Sequence, residues 1–211
     1  MSKPAKANSE PNKAIKVVLC DIEGTTTDIK FVHQVLFPFA RQQLSAYVQQ
    51  HQHQDEVAVI IAEVKTHLPS NNASHGTDKA TLTQVIDLLI QWIDEDKKAK
   101  PLKTLQGLIW QGGYHSGELK GHIYPDVLPV LQQWHADGII LGIYSSGSVA
   151  AQKLLFSHSD FGDLTPLMSH YFDTVVGHKQ QTDAYRNITQ ALALPAESIL
   201  FLSDVVQELD A

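Results

Sequence analysis

Two acidic residues, Asp21 and Glu23, follow directly on the apolar run Val17-Val18-Leu19-Cys20. An Asp carboxylate can attack phosphorus and form an aspartyl-phosphate, and a Glu two residues on can protonate the leaving oxygen and then activate water. Gly24 permits the tight turn that brings both carboxylates to one place. Groups suited to the same chemistry follow three other apolar runs: Ser145 and Ser146 after residues 139–144, Lys179 after 174–176, and Asp204 after 199–202. Carboxylates gathered together repel one another unless a cation sits among them. Hard oxygen ligands favour magnesium, which keeps several waters and takes only one or two carboxylates. A lysine beside them favours a phosphate and holds the nucleophile ionised. Serine hydroxyls, and N–H groups at the start of a helix at Ser148, can hold phosphate oxygens. Singly, each of these residues has an ordinary explanation as a turn, a helix cap or a solvated cation. Their shared placement, each just after a separate apolar run, is what points to a site.

That placement has a structural requirement. Short apolar runs suit strands buried on both faces, as in a parallel sheet, and the C-terminal ends of such strands lie along one ligand-binding edge. Residues 15–20, 139–144, 174–176 and 199–202 are the expected strands. Helical patterns separate the later ones: 125–137, ending at Gly138, then 148–156, then 184–194, stopping at Pro195. Alternation of strand and helix indicates a doubly wound α/β core. The stretch 28–124 differs, having no convincing strand. Helices are expected there at 31–50 (kinked or broken at Pro38), 55–67, 80–97 and 102–111, with a loop at Asn71, Asn72, Ser74 and Gly76. The expected organisation is a disordered polar tail at 1–13, an α/β core from 14–27 and 125–211, and an all-helical insertion at 28–124.

Composition narrows the function classes. With 211 residues the chain can bury a sizeable core. A formal net charge of −7 argues against nucleic acid or an anionic membrane surface as partner. The single cysteine, Cys20, allows no internal disulfide and reads as a small buried hydrophobe. No signal peptide and no membrane-spanning run are visible, so the expected compartment is the cytoplasm. The eleven histidines show no zinc-binding spacing, and there is no Walker loop, G-x-G-x-x-G or G-x-S-x-G.

Asp21-Ile22-Glu23-Gly24-Thr25 resembles the first motif of the haloacid dehalogenase superfamily, D-x-D-G-T. Ser145 or Ser146 is similar to its second motif, Lys179 to its third and Asp204 to its fourth. Glutamate at position 23 is typical of one branch, the bifunctional enolase–phosphatases (acireductone synthases) of methionine salvage. The resemblance extends over most of the chain after residue 14, through segments such as Gly117-Glu-Leu-Lys-Gly-His and Tyr171-Phe-Asp-Thr-Val-Val-Gly-His-Lys. It implies a haloacid dehalogenase-like core with a helical cap that closes over the substrate. It also implies a small phosphate ester as substrate: 2,3-diketo-5-methylthiopentyl-1-phosphate is enolised and then dephosphorylated to the acireductone. In that pattern Asp21 is the nucleophile, and Asp21, Glu23 (largely through its backbone carbonyl) and Asp204 hold one magnesium ion per subunit. Ser145, Ser146 and Lys179 hold the phosphate. Lys103, Trp110 and Tyr114 are the candidates in the cap for reading the thioether tail. The resemblance further implies a monomer, and relatives whose last helix continues into a further strand beyond the position of Ala211.

Two alternatives stand beside this reading. One is an enzyme of the same fold acting on another substrate, such as a sugar phosphatase or a dehalogenase, since the same carboxylate can attack carbon or phosphorus. The other is a phospho-receiver signalling domain. There the acceptor Asp follows the third strand rather than the first and no long helical insertion occurs.

Overall fold

In the computed structural model, residues 15–68 and 81–211 are described. The expected tail at 1–13 and the loop at 71–76 lie outside them. The chain divides into two compact units, one built from residues up to Thr26 with 123–152 and 164–211, the other from 27–122 with 153–163.

The first unit carries a four-stranded parallel sheet in the order β3-β2-β1-β4, with β1 at Val17–Cys20, β2 at Ile140–Tyr144, β3 at His170–Phe172 and β4 at Ile199–Leu202. Val17 pairs with Ile140 on one side and Ile199 on the other, so β1 is central and its four residues are buried. A central strand has both faces covered, which is why it reads as an unbroken apolar run. The strand order reverses between β1 and β4, the kind of crevice where open α/β sheets bind ligands. The helices of this unit include α6 (Val127–Ala136), the start of α7 (Val149–Ser157), α8 (Thr182–Leu192) and the short α9 (Val206–Leu209).

The third strand lies four residues before its expected position. Residues 174–176 form a turn instead, with Val175 91 % exposed. The cause is Asp173. Its Oδ1 accepts the Val175 N–H at 2.9 Å and its Oδ2 accepts the Val149 N–H at 3.2 Å. An Asp that bonds the backbone two residues on bends the chain and overrides the strand preference of the following valines.

The second unit is helical among its described residues: α1 (Ile29–Phe31), a π-helical segment (Val32–Leu36), α2 (Phe37–His51), α3 (Asp55–Lys65), α4 (Leu82–Asp94) and α5 (Lys100–Ser116). Leu44, Val48, Val64, Leu89 and Leu105 meet in its core, and Arg41 forks onto Asp94 at 2.7 and 2.9 Å. The irregularity expected at Pro38 appears just before it. The Phe37 N–H bonds Val32 O five residues back, a widened turn ahead of a ring that cannot donate. Helix α4 starts with a capping box, Thr81 accepting from Gln84 N while Gln84 accepts from Thr81 N. Helix α5 runs on past Gln111 through two glycines. A Cβ at Gly113 would lie 2.6 Å from the Phe39 ring, so close packing outweighs helix propensity there. Among the described residues, no helix is long and apolar enough to cross a membrane.

Candidate active site

The loops that leave β1, β2, β3 and β4 carry the six core candidates, all within the first unit. At the end of β1, Asp21 is buried and its Oδ1 accepts the Ile22 N–H at 2.8 Å. Lys179, from the loop after β3, places Nζ 2.6 Å from the same Oδ1. The side chains of Lys179 and Asp21 are only 5 % and 4 % exposed. Burial nevertheless pushes the Asp21 carboxyl up to about 6, outweighing the attraction of Lys179 and the Ile22 N–H.

Lys179 does not act for Asp21 alone, because its Nζ also lies 2.7 Å from Glu208 Oε2 on α9. Glu208 accepts the Ser203 hydroxyl proton at 2.8 Å, and Ser203 Oγ stands 3.5 Å from Asp21 Oδ2. The Tyr185 hydroxyl sits 2.6 Å from Lys179 O and 2.8 Å from Glu208 O, fastening the lysine loop to α9. Glu208, Ser203 and Tyr185 were not among the sequence candidates. Glu208 did carry a signal: it is an acidic residue four positions after Asp204, a helical spacing.

The serine loop meets the β1 loop through Ser145, whose hydroxyl donates to Glu23 Oε2 at 3.4 Å. Ser145 is fully buried and Ser146 is exposed beside it. Three N–H groups in this loop and the first turn of α7 are already engaged. Gly147 N–H bonds Ser145 Oγ, Val149 N–H bonds Asp173, and Ala151 N–H bonds Ser148 Oγ. Ser146 is the exposed serine of this loop, whereas the Ser145 hydroxyl is buried and already engaged with Glu23 and the Gly147 N–H.

Asp204 is exposed and held against the β1 loop, its N–H donating to Thr25 Oγ1 at 3.2 Å. Its carboxylate packs over Gly24, where φ is 78° and a Cβ would stand 2.1 Å from Asp204 Oδ2. No group of three or more His, Cys, Asp and Glu side chains able to hold a metal is gathered among the described residues. Magnesium does not need one: two carboxylates, backbone oxygen and water suffice. Asp21 and Asp204 follow the neighbouring strands β1 and β4, and their carboxylates are of the donor type that ion takes. Gly24→Ala must therefore push the Asp204 carboxylate aside and adopt a left-handed backbone that alanine resists. We expect a loss of about 1–3 kcal/mol of stability. If Asp204 is a magnesium ligand, the magnesium concentration for half-maximal activity should also rise by at least about tenfold, the equivalent of ~1.4 kcal/mol.

The three candidates in the helical unit share α5 but differ in setting. Lys103 is exposed. Trp110 donates its indole N–H to Leu36 O at 2.8 Å and packs near Phe37. Tyr114 is buried beside His158, its hydroxyl without a hydrogen-bond partner.

A family model described as haloacid dehalogenase-like hydrolase matches residues 15–211. The chain is 50 % identical over 197 residues to Enolase-phosphatase E1 of Erwinia tasmaniensis, covering 93 % of this chain and 83 % of that protein. It is 51 % identical to Enolase-phosphatase E1 of Pseudomonas aeruginosa, covering 93 % and 84 %. Its fold superposes on the crystal structure of the UTR4 protein of Saccharomyces cerevisiae with a TM-score of 0.77, at 33 % identity over 93 % of this chain and 84 % of that one.

Proposed function

Because the chain belongs to the haloacid dehalogenase-like hydrolases, we propose that it is an enolase–phosphatase that converts 2,3-diketo-5-methylthiopentyl-1-phosphate to the acireductone, with Asp21 as the phosphoryl acceptor. It is a hydrolase by membership, and relatives about half identical to it carry the name Enolase-phosphatase E1. The observation that carries the site assignment is the buried pair of Asp21 and Lys179 at 2.6 Å, a nucleophile and the cation that keeps it ionised.

The two oxygens of Asp21 divide their work. Oδ1 is held by Lys179 and Ile22, whereas Oδ2 has, among the described residues, only the long approach of Ser203, whose proton points to Glu208. Oδ2 is the oxygen left to meet phosphorus. As its bond to phosphorus forms, the bond from phosphorus to the substrate alcohol oxygen breaks, and Glu23 gives that oxygen a proton. Glu23 then takes a proton from water, which attacks the aspartyl-phosphate and returns Asp21 as a carboxylate. Ser145 and Ser146 hold the phosphoryl oxygens, and Lys179 offsets the charge that grows on them. Asp21 and Asp204 would hold magnesium by side chain and Glu23 by its carbonyl; when bound, the ion acts as a Lewis acid toward carbonyl and phosphoryl oxygens. The helical unit is read as a cap, with Lys103, Trp110 and Tyr114 as its candidates for the thioether tail. The reading carries with it a cytoplasmic monomer with one magnesium ion.

The test is to mix the purified protein with the diketo ester and magnesium and follow enol absorbance and phosphate together. Enol absorbance should rise first and phosphate follow, and both should vanish with EDTA. Phosphate without enol would turn the assignment to another phosphatase of the same fold. Neither product from a folded protein would overturn it.

A further inference from the structure

The serine loop is held in place by a residue so far without a role. Gln152, in the first turns of α7, is 1 % exposed, and its Nε2 lies 2.8 Å from Gly147 O and 2.8 Å from Phe172 O. Two acceptors on one nitrogen settle which way the amide faces: its two N–H donors meet two carbonyls, and Oε1 points away. That Oε1 is buried with no hydrogen-bond partner. A side chain serving only to fill space would not carry that cost, since Met has much the same shape and no polar atom to leave unpaired.

The two carbonyls bracket Ser145. Phe172 O also accepts the Ser145 N–H at 3.2 Å, so the end of β3 anchors both Ser145 and Gln152. The peptide group of Gly147 and its neighbours is pinned from two directions, its N–H by Ser145 Oγ at 3.2 Å and its C=O by Gln152. The Ser145 hydroxyl in turn reaches Glu23. An amide does this without placing a charge beside an anion-binding loop. A carboxylate of the same size would face both carbonyl oxygens with no donor.

We propose that Gln152 is a positioning residue for phosphate binding: it sets the 145–147 loop in the shape that presents the Ser145 and Ser146 hydroxyls to a phosphoryl group, without touching that group. This rests on the reading of that loop as the phosphate subsite. The test uses magnesium-loaded enzyme with Gln152→Met and Gln152→Glu, each assayed at a temperature where it is folded by circular dichroism. The expected result is a rise of about tenfold in both the KM for the diketo ester and the inhibition constant of inorganic phosphate, with a smaller change in kcat. A residue that merely packs would lower the melting temperature and leave both constants of the folded enzyme within twofold or so of wild type. That outcome would overturn the proposal. Should neither variant fold, the side-chain amide resonances of Gln152 in the wild-type protein supply the answer. A shift that saturates with inorganic phosphate supports the coupling, and no shift in phosphate-saturated protein overturns it. Wild-type enzyme that releases no phosphate from the ester would instead count against the functional reading.

Discussion

Asp21→Asn should reduce phosphate release by at least about 10⁴-fold, because it removes the attacking oxygen while keeping shape and hydrogen-bonding reach. The same substitution should stabilise the protein in EDTA at neutral pH. Burial holds the Asp21 carboxyl at about 6, above its ordinary value of 3.8. A group whose folded pKa is raised favours folding most when protonated. Its contribution is fully present below about pH 4 and is lost as pH rises through about 6. The asparagine variant cannot ionise and avoids that loss. Above pH 7 it should be more stable than wild type by up to about 3 kcal/mol, some 5 °C or more in melting temperature. Near pH 4 the two melting curves should converge, since both then carry a neutral side chain at that position. Equal melting temperatures across the whole range would mean that the buried carboxylate costs the fold nothing.

How far the site was legible in the sequence depends on the range over which each residue is controlled. Asp21, Ser145 and Asp204 stand at the ends of apolar runs, and a buried strand declares itself by composition alone. Strand β4 accordingly falls where the apolar run predicts it. Strand β3 does not, because Val175 and Val176 favour strand locally while the Asp173 carboxylate turns the backbone beneath them. Helix α5 outruns its pattern for a similar reason, since Gly112 and Gly113 discourage a helix that the packing of Phe39 against Gly113 makes worthwhile. Glu208 was within reach through its spacing from Asp204. Gln152 was not: its role exists only where carbonyls from two separate segments, Gly147 and Phe172, converge on one amide. Nor does anything near Glu23 in sequence announce that its carboxylate meets Ser145. Such pairings are products of the sheet order, and residue type cannot disclose them before the strands are placed.

Lys179→Met should cost both activity and stability, and the two losses can be separated. In the wild-type site one ammonium serves two carboxylates, at 2.6 Å for Asp21 and 2.7 Å for Glu208, with all three side chains at most 10 % exposed. Removing a buried partner leaves uncompensated charge, a loss of about 3–5 kcal/mol, or on the order of 10 °C in melting temperature for a chain of this size. Phosphate release should fall by about 10²–10³-fold, the cost of losing one strong charge contact in the transition state. Glu208→Gln in the same chain removes one of the two stranded carboxylates. The double variant should regain about 1–3 kcal/mol relative to Lys179→Met alone, read from denaturant midpoints at unchanged slope. Its phosphate release should stay where Lys179→Met left it, because Asp21 and the phosphoryl group still lack their cation. Recovery of activity along with stability would mean that Lys179 serves the fold and not the chemistry. Recovery of stability alone would assign Glu208 to holding the lysine and Lys179 to the reaction.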